Sequence, residues 1–334
     1  MRFAALPVLL PILLVPVSAG KAIAASQAGS TAPPAQAPHT TAGHPAQAPK
    51  GSSGAGAPAA AHGDPQVRSN VALVIDAALG TPLYAKHQDQ VAPIASITKL
   101  MTAMVLLDAG VPTDEIVTID KADVDHVKNT KSRLPVGAGI ARGELLRVAL
   151  MSSDNRAAAA LARTYPGGTG ACVAAMNRKA AALEMTRTSF ADPTGLSSHN
   201  VSNAEDLTRM VLAASSYPAI RDATTSALHR LTLTDGRVLE YHNSNGLVRN
   251  PTWSIGLSKT GYINEAGRCL VMQAEIAAKQ VVIVLLDSWG KYTRLGDANR
   301  IRHWLEAAAP RAGASAPAPA AVEAPAPLRT SSAP

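Results

Sequence analysis

The chain has 334 residues, of which 47% are hydrophobic and 16% charged, and this length suffices for one large folded domain or two ordinary ones. The formal net charge of +7 favours an acidic polymer as partner, with a merely soluble basic surface as the alternative. The 9 histidines show no paired spacing of the His-Glu-x-x-His type, so we predict neither a metal site nor a bound cofactor.

Residues 1–25 have the pattern of a secretory signal peptide. Met1 and Arg2 precede an apolar run over 3–17, and small residues follow, so cleavage is expected after Ala19 or near Ala25. Prolines interrupt the run, which is short for a membrane span, and an uncleaved anchor is the alternative. We therefore predict an exported protein with no membrane span after signal removal and no nucleic-acid partner.

Two low-complexity tracts flank the region that we expect to fold. Residues 26–66 and 309–334 consist largely of Ala, Pro, Gly and Ser, and they lack the apolar side chains that would offset the entropy of ordering them. We predict disorder in both tracts. The folded domain is then 67–308.

Strand and helix patterns follow one another through this domain. Runs over 71–76 and 81–86 indicate a hairpin, and apolar spacing then predicts a helix from Ser96 to Leu107. Further helices are predicted over 144–151, 156–163, 171–183 and 203–214. Strands return over 228–233, 238–242, 254–259, 269–276 and 281–286, before a last helix over 294–307. We predict an α/β fold, in which an antiparallel sheet built from both chain ends is flanked by helices and carries an inserted helical lobe.

A Ser-x-x-Lys motif opens the first of these helices. Ser96 and Lys99 lie one turn apart on the same helix face. A serine hydroxyl needs a base to become a nucleophile, and a lysine serves as that base only when burial or a nearby cation lowers its pKa. Apolar neighbours would bury Lys99, and Lys259 would supply the cation. The alternative is a helix-capping serine beside a solvated lysine.

A Ser-x-Asn motif lies between two predicted helices. The hydroxyl of Ser153 could relay a proton between Lys99 and a leaving amine, and the amide of Asn155 could bind both the lysine and a substrate peptide. An ordinary helix cap is the alternative. A second match, Ser198-His199-Asn200, follows a Pro-Thr-Gly turn and competes for the same role.

Lys-Thr-Gly occurs once in the chain and closes a predicted edge strand. Lys259 and Thr260 could hold a carboxylate, and Gly261 would let a substrate backbone approach without a Cβ clash. The backbone N–H groups of Tyr262 and Ser96 could form an oxyanion hole. A strand that simply ends in a glycine turn is the alternative.

Together, and in this order, the three motifs are those of penicillin-binding proteins and class A β-lactamases. The chain resembles the small penicillin-binding proteins of the serine D-alanyl-D-alanine peptidase family, and among them the D,D-endopeptidases of Gram-negative bacteria. The resemblance covers about 67–308 and includes residues 92–100, 142–166, 190–196 and 256–274.

This resemblance implies a penicillin-binding-protein/β-lactamase-like fold with a five-stranded antiparallel sheet and an inserted all-helical lobe. It implies that Ser96 is acylated with Lys99 as general base, and that Ser153 and Asn155 line the cleft. Lys259 with Thr260 would bind the substrate carboxylate. It further implies a periplasmic enzyme that acts on peptidoglycan stem peptides and cross-links and is trapped covalently by β-lactams.

Residues 184–195 separate the chain from the class A β-lactamases. These enzymes carry a glutamate, followed two residues later by Leu-Asn, that activates the deacylating water, whereas this stretch lacks the pattern. Penicillin hydrolysis is therefore not expected. A cross-link between D-alanine and the D-centre of diaminopimelate is an amide flanked by a carboxylate, like terminal D-Ala-D-Ala. The resemblance favours endopeptidase activity; carboxypeptidase or dual activity is the alternative, and a non-catalytic wall-binding or β-lactam-sensing module is a third.

Other hydrolase classes find little support in the sequence. Cys172 lies on a predicted helix with no histidine nearby, so it reads as a small core residue rather than a nucleophile. There is no Gly-x-Ser-x-Gly elbow of an α/β-hydrolase. Cys172 and Cys269 could pair in an oxidising compartment, and the sequence leaves that question open.

Overall fold

The computed structural model describes residues 63–309. The predicted signal peptide and most of the two low-complexity tracts lie outside these residues. Over 63–309, none of the helices has both the length and the apolar character that crossing a bilayer demands.

Eleven strands and seven α-helices make up the part of the chain that the structure describes. The strands are β1 (Val71–Asp76), β2 (Pro82–Lys86), β3 (Ala92–Pro93), β4 (Ile116–Thr118), β5 (Gly139–Ala141), β6 (Val201–Ser202), β7 (Leu228–Thr232), β8 (Val238–His242), β9 (Ser254–Ile263), β10 (Gly267–Ile276) and β11 (Lys279–Ser288). The helices are α1 (Thr98–Asp108), α2 (Arg142–Met151), α3 (Asn155–Arg163), α4 (Gly168–Ala182), α5 (Ala204–Ala214), α6 (Pro218–Thr225) and α7 (Thr293–Ala308).

Five strands from the two ends of this region form the main sheet, in the order β2-β1-β11-β10-β9, and every pair in it is antiparallel. Helix α7 packs on β10 and β11, and α5 packs on β11, β10 and β1. The central strands β1 and β11 are apolar along most of their length because both faces are covered. Helices α1 to α4 pack on one another beside the sheet. The predicted fold class is confirmed.

Several local predictions need correction. The strands predicted over 228–233 and 238–242 are β7 and β8, and they form a separate two-stranded sheet rather than part of the main one. Helix α6 was not predicted; it begins with Pro218, a residue that favours the first turn because its missing N–H is not needed there. Strand β9 does not end at Lys259 but continues to Ile263.

Asn200 fixes the loop that faces the start of α1. Its side chain is fully buried and accepts hydrogen bonds from the N–H groups of Ala191 and Asp192 at 2.7 and 3.0 Å. Its amide donates to Thr98 Oγ1 at 3.0 Å and to the carbonyl of Asp192 at 2.8 Å. All of its hydrogen-bonding capacity therefore serves the fold, so the second Ser-x-Asn match has a structural explanation.

We predict that Asn200→Ala lowers the free energy of unfolding by about 3 kcal/mol, since it leaves several buried polar groups without partners. Urea denaturation followed by circular dichroism measures the change, with an unaltered m-value. Asn250→Ala is the control, because the Asn250 side chain contacts only the nearby Thr252, and it should cost under about 1 kcal/mol. Equal losses in the two variants would contradict this role for Asn200.

Candidate active site

Ser96 lies in a short 3-10 turn, Ala95–Ile97, immediately before α1. Ala95 adopts a left-handed conformation with φ of +48°, and its carbonyl accepts a hydrogen bond from Thr98 Oγ1 at 2.8 Å. A Cβ on Gly195, whose φ is +82°, would lie only 2.0 Å from that carbonyl oxygen. The turn that presents Ser96 is thus strained and held by the facing loop, a pattern that concentrates at functional sites.

The amine of Lys99 lies inside the protein beside this serine. Lys99 is only 1% exposed, and its Nζ is 2.9 Å from Ser96 Oγ. The same nitrogen donates to Asn155 Oδ1 and to the carbonyl of Thr194, each at 2.6 Å. Three separate segments of the chain therefore orient one amine toward one hydroxyl.

Burial lowers the pKa of Lys99 from 10.5 to about 7, and the carboxylates of Asp192, Asp154 and Asp125 oppose this change. Burial of Lys99 and a cation from Lys259 were both expected to lower this pKa. Burial is the cause that lowers it, because an amine removed from water is destabilised in its charged form, and Lys259 is not among the charges that act on it. A substantial fraction of Lys99 is therefore neutral near pH 7.

The three residues of the Ser153-Asp154-Asn155 segment have different roles, and only the middle one stabilises a helix end. Asp154 caps α3 by accepting the N–H of Ala157 at 2.9 Å. The capping alternative thus holds for the middle residue of the motif. Ser153 has φ of +63°, and Asn155 begins α3 with its Nδ2 donating to Thr130 Oγ1 at 2.9 Å.

Ser153 pairs with Lys259, not with Lys99. Lys259 is 1% exposed, and its Nζ donates to Ser153 Oγ and to the carbonyl of Thr260, each at 2.8 Å. Burial lowers the pKa of Lys259, and the charges of Lys99 and Arg294 lower it further. The site therefore contains two hydroxyl–amine pairs rather than one.

Strand β9 lies at the edge of the main sheet, against the segment that contains Ser96. A Cβ on Gly261 would lie 2.9 Å from the carbonyl oxygen of Ile94 and 3.2 Å from the backbone nitrogen of Ser96. Glycine is therefore required for the close approach of the strand to the serine, a reason that adds to the expected approach of a substrate backbone. Thr260 Oγ1 donates to Ser244 Oγ at 2.7 Å, and the Tyr262 side chain points to solvent, 51% exposed.

Sequence reasoning missed Arg294 at the start of α7. It is 8% exposed, and its Nε and Nη1 have no hydrogen-bond partner within the described residues. Its charge lowers the pKa of Lys259, so the two cations interact electrostatically. The available signal was an arginine at the first turn of a helix, where a cation opposes the helix dipole. Ser244 was missed as well, because it belongs to no recognisable motif. Thr194 lies in the stretch 190–196 of the resemblance, but no role was predicted for it.

The two cysteines are buried and free, and burial raises the pKa of each to about 11. Neither has thiolate character at neutral pH. Over 63–309, no group of His, Cys, Asp and Glu side chains is arranged to hold a metal ion.

Comparisons with known proteins agree with this geometry. The family model described as D-alanyl-D-alanine carboxypeptidase matches residues 58–290. The D-alanyl-D-alanine endopeptidase of Pseudomonas aeruginosa is 48% identical over 72% of this chain and 78% of its own length, and that of Escherichia coli K12 is 46% identical with the same coverage.

The fold comparison points the same way. The crystal structure of the Streptomyces K15 DD-transpeptidase superposes with a TM-score of 0.68 at 28% identity, covering 72% of this chain and 98% of that one. The family match spans well over half of the sequence and includes all three motifs. The chain therefore belongs to the D-alanyl-D-alanine carboxypeptidase family of serine peptidases.

Proposed function

We propose that this protein is a serine D,D-endopeptidase that hydrolyses the D-Ala-diaminopimelate cross-links of peptidoglycan through an acyl-enzyme on Ser96. The observation that carries the proposal is the buried amine of Lys99, 2.9 Å from Ser96 Oγ, with a pKa of about 7. The two relatives at 48% and 46% identity are both named D-alanyl-D-alanine endopeptidases. That likeness favours the endopeptidase over a carboxypeptidase.

Acylation begins when neutral Lys99 accepts the hydroxyl proton of Ser96 as the oxygen attacks the carbonyl carbon of D-alanine. Negative charge then develops on the carbonyl oxygen. The backbone N–H groups of Ser96 and Tyr262 are the proposed donors to that oxyanion. A single donor of this kind lowers the barrier by about 3 kcal/mol, which explains why close contact between β9 and the Ala95–Ile97 turn matters.

The second hydroxyl–amine pair serves the leaving group. The amide nitrogen must gain a proton as its bond to the acyl carbon breaks. Ser153 Oγ lies 2.8 Å from Lys259 Nζ, so the hydroxyl can give its proton to the leaving amine and recover one from the ammonium. Asn155 holds Lys99 through its Oδ1 and offers an amide to the substrate peptide. Before deacylation Lys99 loses the proton it took from Ser96 and Lys259 regains one, both by exchange with solvent. Neutral Lys99 can then act as base when water hydrolyses the acyl-enzyme.

The substrate carboxylate is proposed to lie at the cationic end of the cleft. Lys259 and Thr260 belong to the edge strand, and Arg294 adds a buried guanidinium with unused N–H donors. Charges this close to one another are costly without a counter-ion, and a bound carboxylate supplies it. Both candidate substrates carry this group, so the geometry accepts either amide.

The domain limits and the cellular compartment of the enzyme are proposed from the sequence. We propose a peptidase domain over 67–308. A signal peptide over 1–25 and a low-complexity tract over 26–66 precede it, and a second low-complexity tract over 309–334 follows it. The mature enzyme would act in the periplasm. β-Lactams would acylate Ser96 and remain bound as covalent inhibitors, since residues 184–195 lack the deacylating glutamate pattern.

Digestion of purified cross-linked muropeptide dimers tests the proposal. We expect monomers to appear without release of free D-alanine from pentapeptides, as resolved by liquid chromatography and mass spectrometry. Ser96→Ala should abolish both cleavage and labelling by fluorescent penicillin. Ser198→Ala, in the second Ser-x-Asn match, should retain both.

Two results of the digestion would contradict the proposal. Release of D-alanine with intact dimers would establish a carboxypeptidase instead. Penicillin labelling of Ser96 without turnover of any stem peptide would indicate a binding module.

We predict that Arg294→Gln lowers kcat/KM on dimers by about tenfold or more, mainly through KM, since it removes a charged partner of the carboxylate. A substrate whose carboxylate is replaced by an amide should lose far less. Arg302→Gln on the same helix is the control, because Arg302 pairs with Glu306 at the surface. An equal loss on both substrates would show that Arg294 supports the fold rather than the carboxylate.

A further inference from the structure

Exposed aromatic rings gather just past the end of the Lys-Thr-Gly strand. Only 3% of the chain is Phe, Trp or Tyr, yet Trp289 is 86% exposed, Tyr292 66% and Tyr262 51%. We call these three residues the aromatic rim. Exposed aromatic clusters mark binding surfaces, because their rings offer large contact area at low cost in side-chain entropy.

A cavity of about 320 Å³ adjoins two of these three rings, and Tyr292 directly follows Lys291, which also lines the cavity. It is lined by Tyr262 and Trp289, and polar side chains enter it from three elements: Asn264 from the β9–β10 turn, Arg268 from β10 and Asp287 from β11. Ligand sites commonly combine apolar walls with a few polar groups in this way. Tyr262 directly follows Gly261, so the cavity adjoins the catalytic edge of the sheet.

The backbone beside the cavity adopts a conformation that is unfavourable for a residue other than glycine. Asp287 has φ of +48°, and the pairing of β10 with β11 shifts register beside it, which defines a bulge. A Cβ on Gly267 would lie 2.6 Å from Asp287 Oδ1, so only glycine fits opposite. Bulges at strand ends redirect the following side chains, and here the next residues include Trp289.

The charges of the rim restrict what can bind. The guanidinium of Arg268 lies 4.5 Å from the ring centre of Tyr262, and the ammonium of Lys291 lies 5.3 Å from that of Tyr292. Tyr262 Oη also donates to Asn264 Oδ1 at 2.8 Å. A purely apolar partner would bury these cations without compensation, and a simple anion would leave the rings unused. A ligand with apolar ring faces and many oxygen atoms can stack on the aromatic rings and also accept hydrogen bonds from the cations.

We propose that the aromatic rim binds an N-acetylhexosamine stretch of the peptidoglycan glycan strand. Trp289 stacks on the face of a sugar ring, and Arg268, Asn264 and Asp287 hydrogen-bond its hydroxyl and acetamido groups. This proposal rests on the proposed function, since the scissile cross-links are attached to such strands. A second contact on the same polymer raises the effective concentration of cross-links at Ser96.

Co-sedimentation with insoluble, peptide-free glycan tests the site. Chitin, a polymer of N-acetylglucosamine, and glycan strands stripped of stem peptides by an amidase are the two probes. We expect the full chain to sediment with both, Trp289→Ala to bind about tenfold more weakly, and Trp289→Phe to retain most of the binding. Leu79→Ala is the control, because Leu79 is also exposed, at 72%, but lies in the β1–β2 turn.

Fluorescent penicillin labelling of Ser96 separates this proposal from the proposed function. Labelled protein with Trp289-dependent glycan binding supports the site. The site is overturned if labelled protein binds neither glycan, or if Trp289→Ala binds the glycans as tightly as the unsubstituted protein does. Binding only when stem peptides remain attached also overturns it, in favour of a peptide subsite. Glycan binding by a protein that fluorescent penicillin does not label would contradict only the peptidase proposal and would still support the glycan site.

Discussion

The amine of Lys99 is held away from water between the start of α1, the start of α3 and the loop through Thr194. Lowering its pKa from 10.5 to about 7 corresponds to about 5 kcal/mol against the charged form. The fold sustains that cost because three segments converge on one nitrogen. Asn200 fastens one of these segments to α1, and Gly195 lets the same loop reach Ala95.

Two hydroxyl–amine pairs, Ser96 with Lys99 and Ser153 with Lys259, divide the proton transfers of the proposed reaction. One pair takes a proton from the nucleophile, and the other gives a proton to the leaving amine. The amines interact electrostatically, since the charge of Lys99 helps to lower the pKa of Lys259. The charged form of Lys99 therefore disfavours the charged form of Lys259.

The sequence predicted the main architecture and which residues form the site. It predicted less well how those residues contact one another. The three motifs were recognisable because each fixes residue types at short spacing. The structure brings their side chains together, since Lys99 contacts Ser96 and Asn155, and Lys259 contacts Ser153. The partner of Ser153 and the real neighbour of Gly261 could not be predicted, because both depend on how β9 approaches the Ala95–Ile97 turn. Arg294 was not identified because its place at the start of α7 is only a weak signal, and its burial is visible only in the structure.

The rate of Ser96 acylation by a fluorescent penicillin, measured from about pH 5.5 to about pH 9, tests the central claim most directly. Lys99 acts only when neutral, so the rate should rise about tenfold per pH unit at low pH and bend near pH 7. Above that pH the rate should level off, because Lys99 is then neutral. A rate that keeps rising through pH 9, or one that is independent of pH below 7, would contradict a buried lysine base.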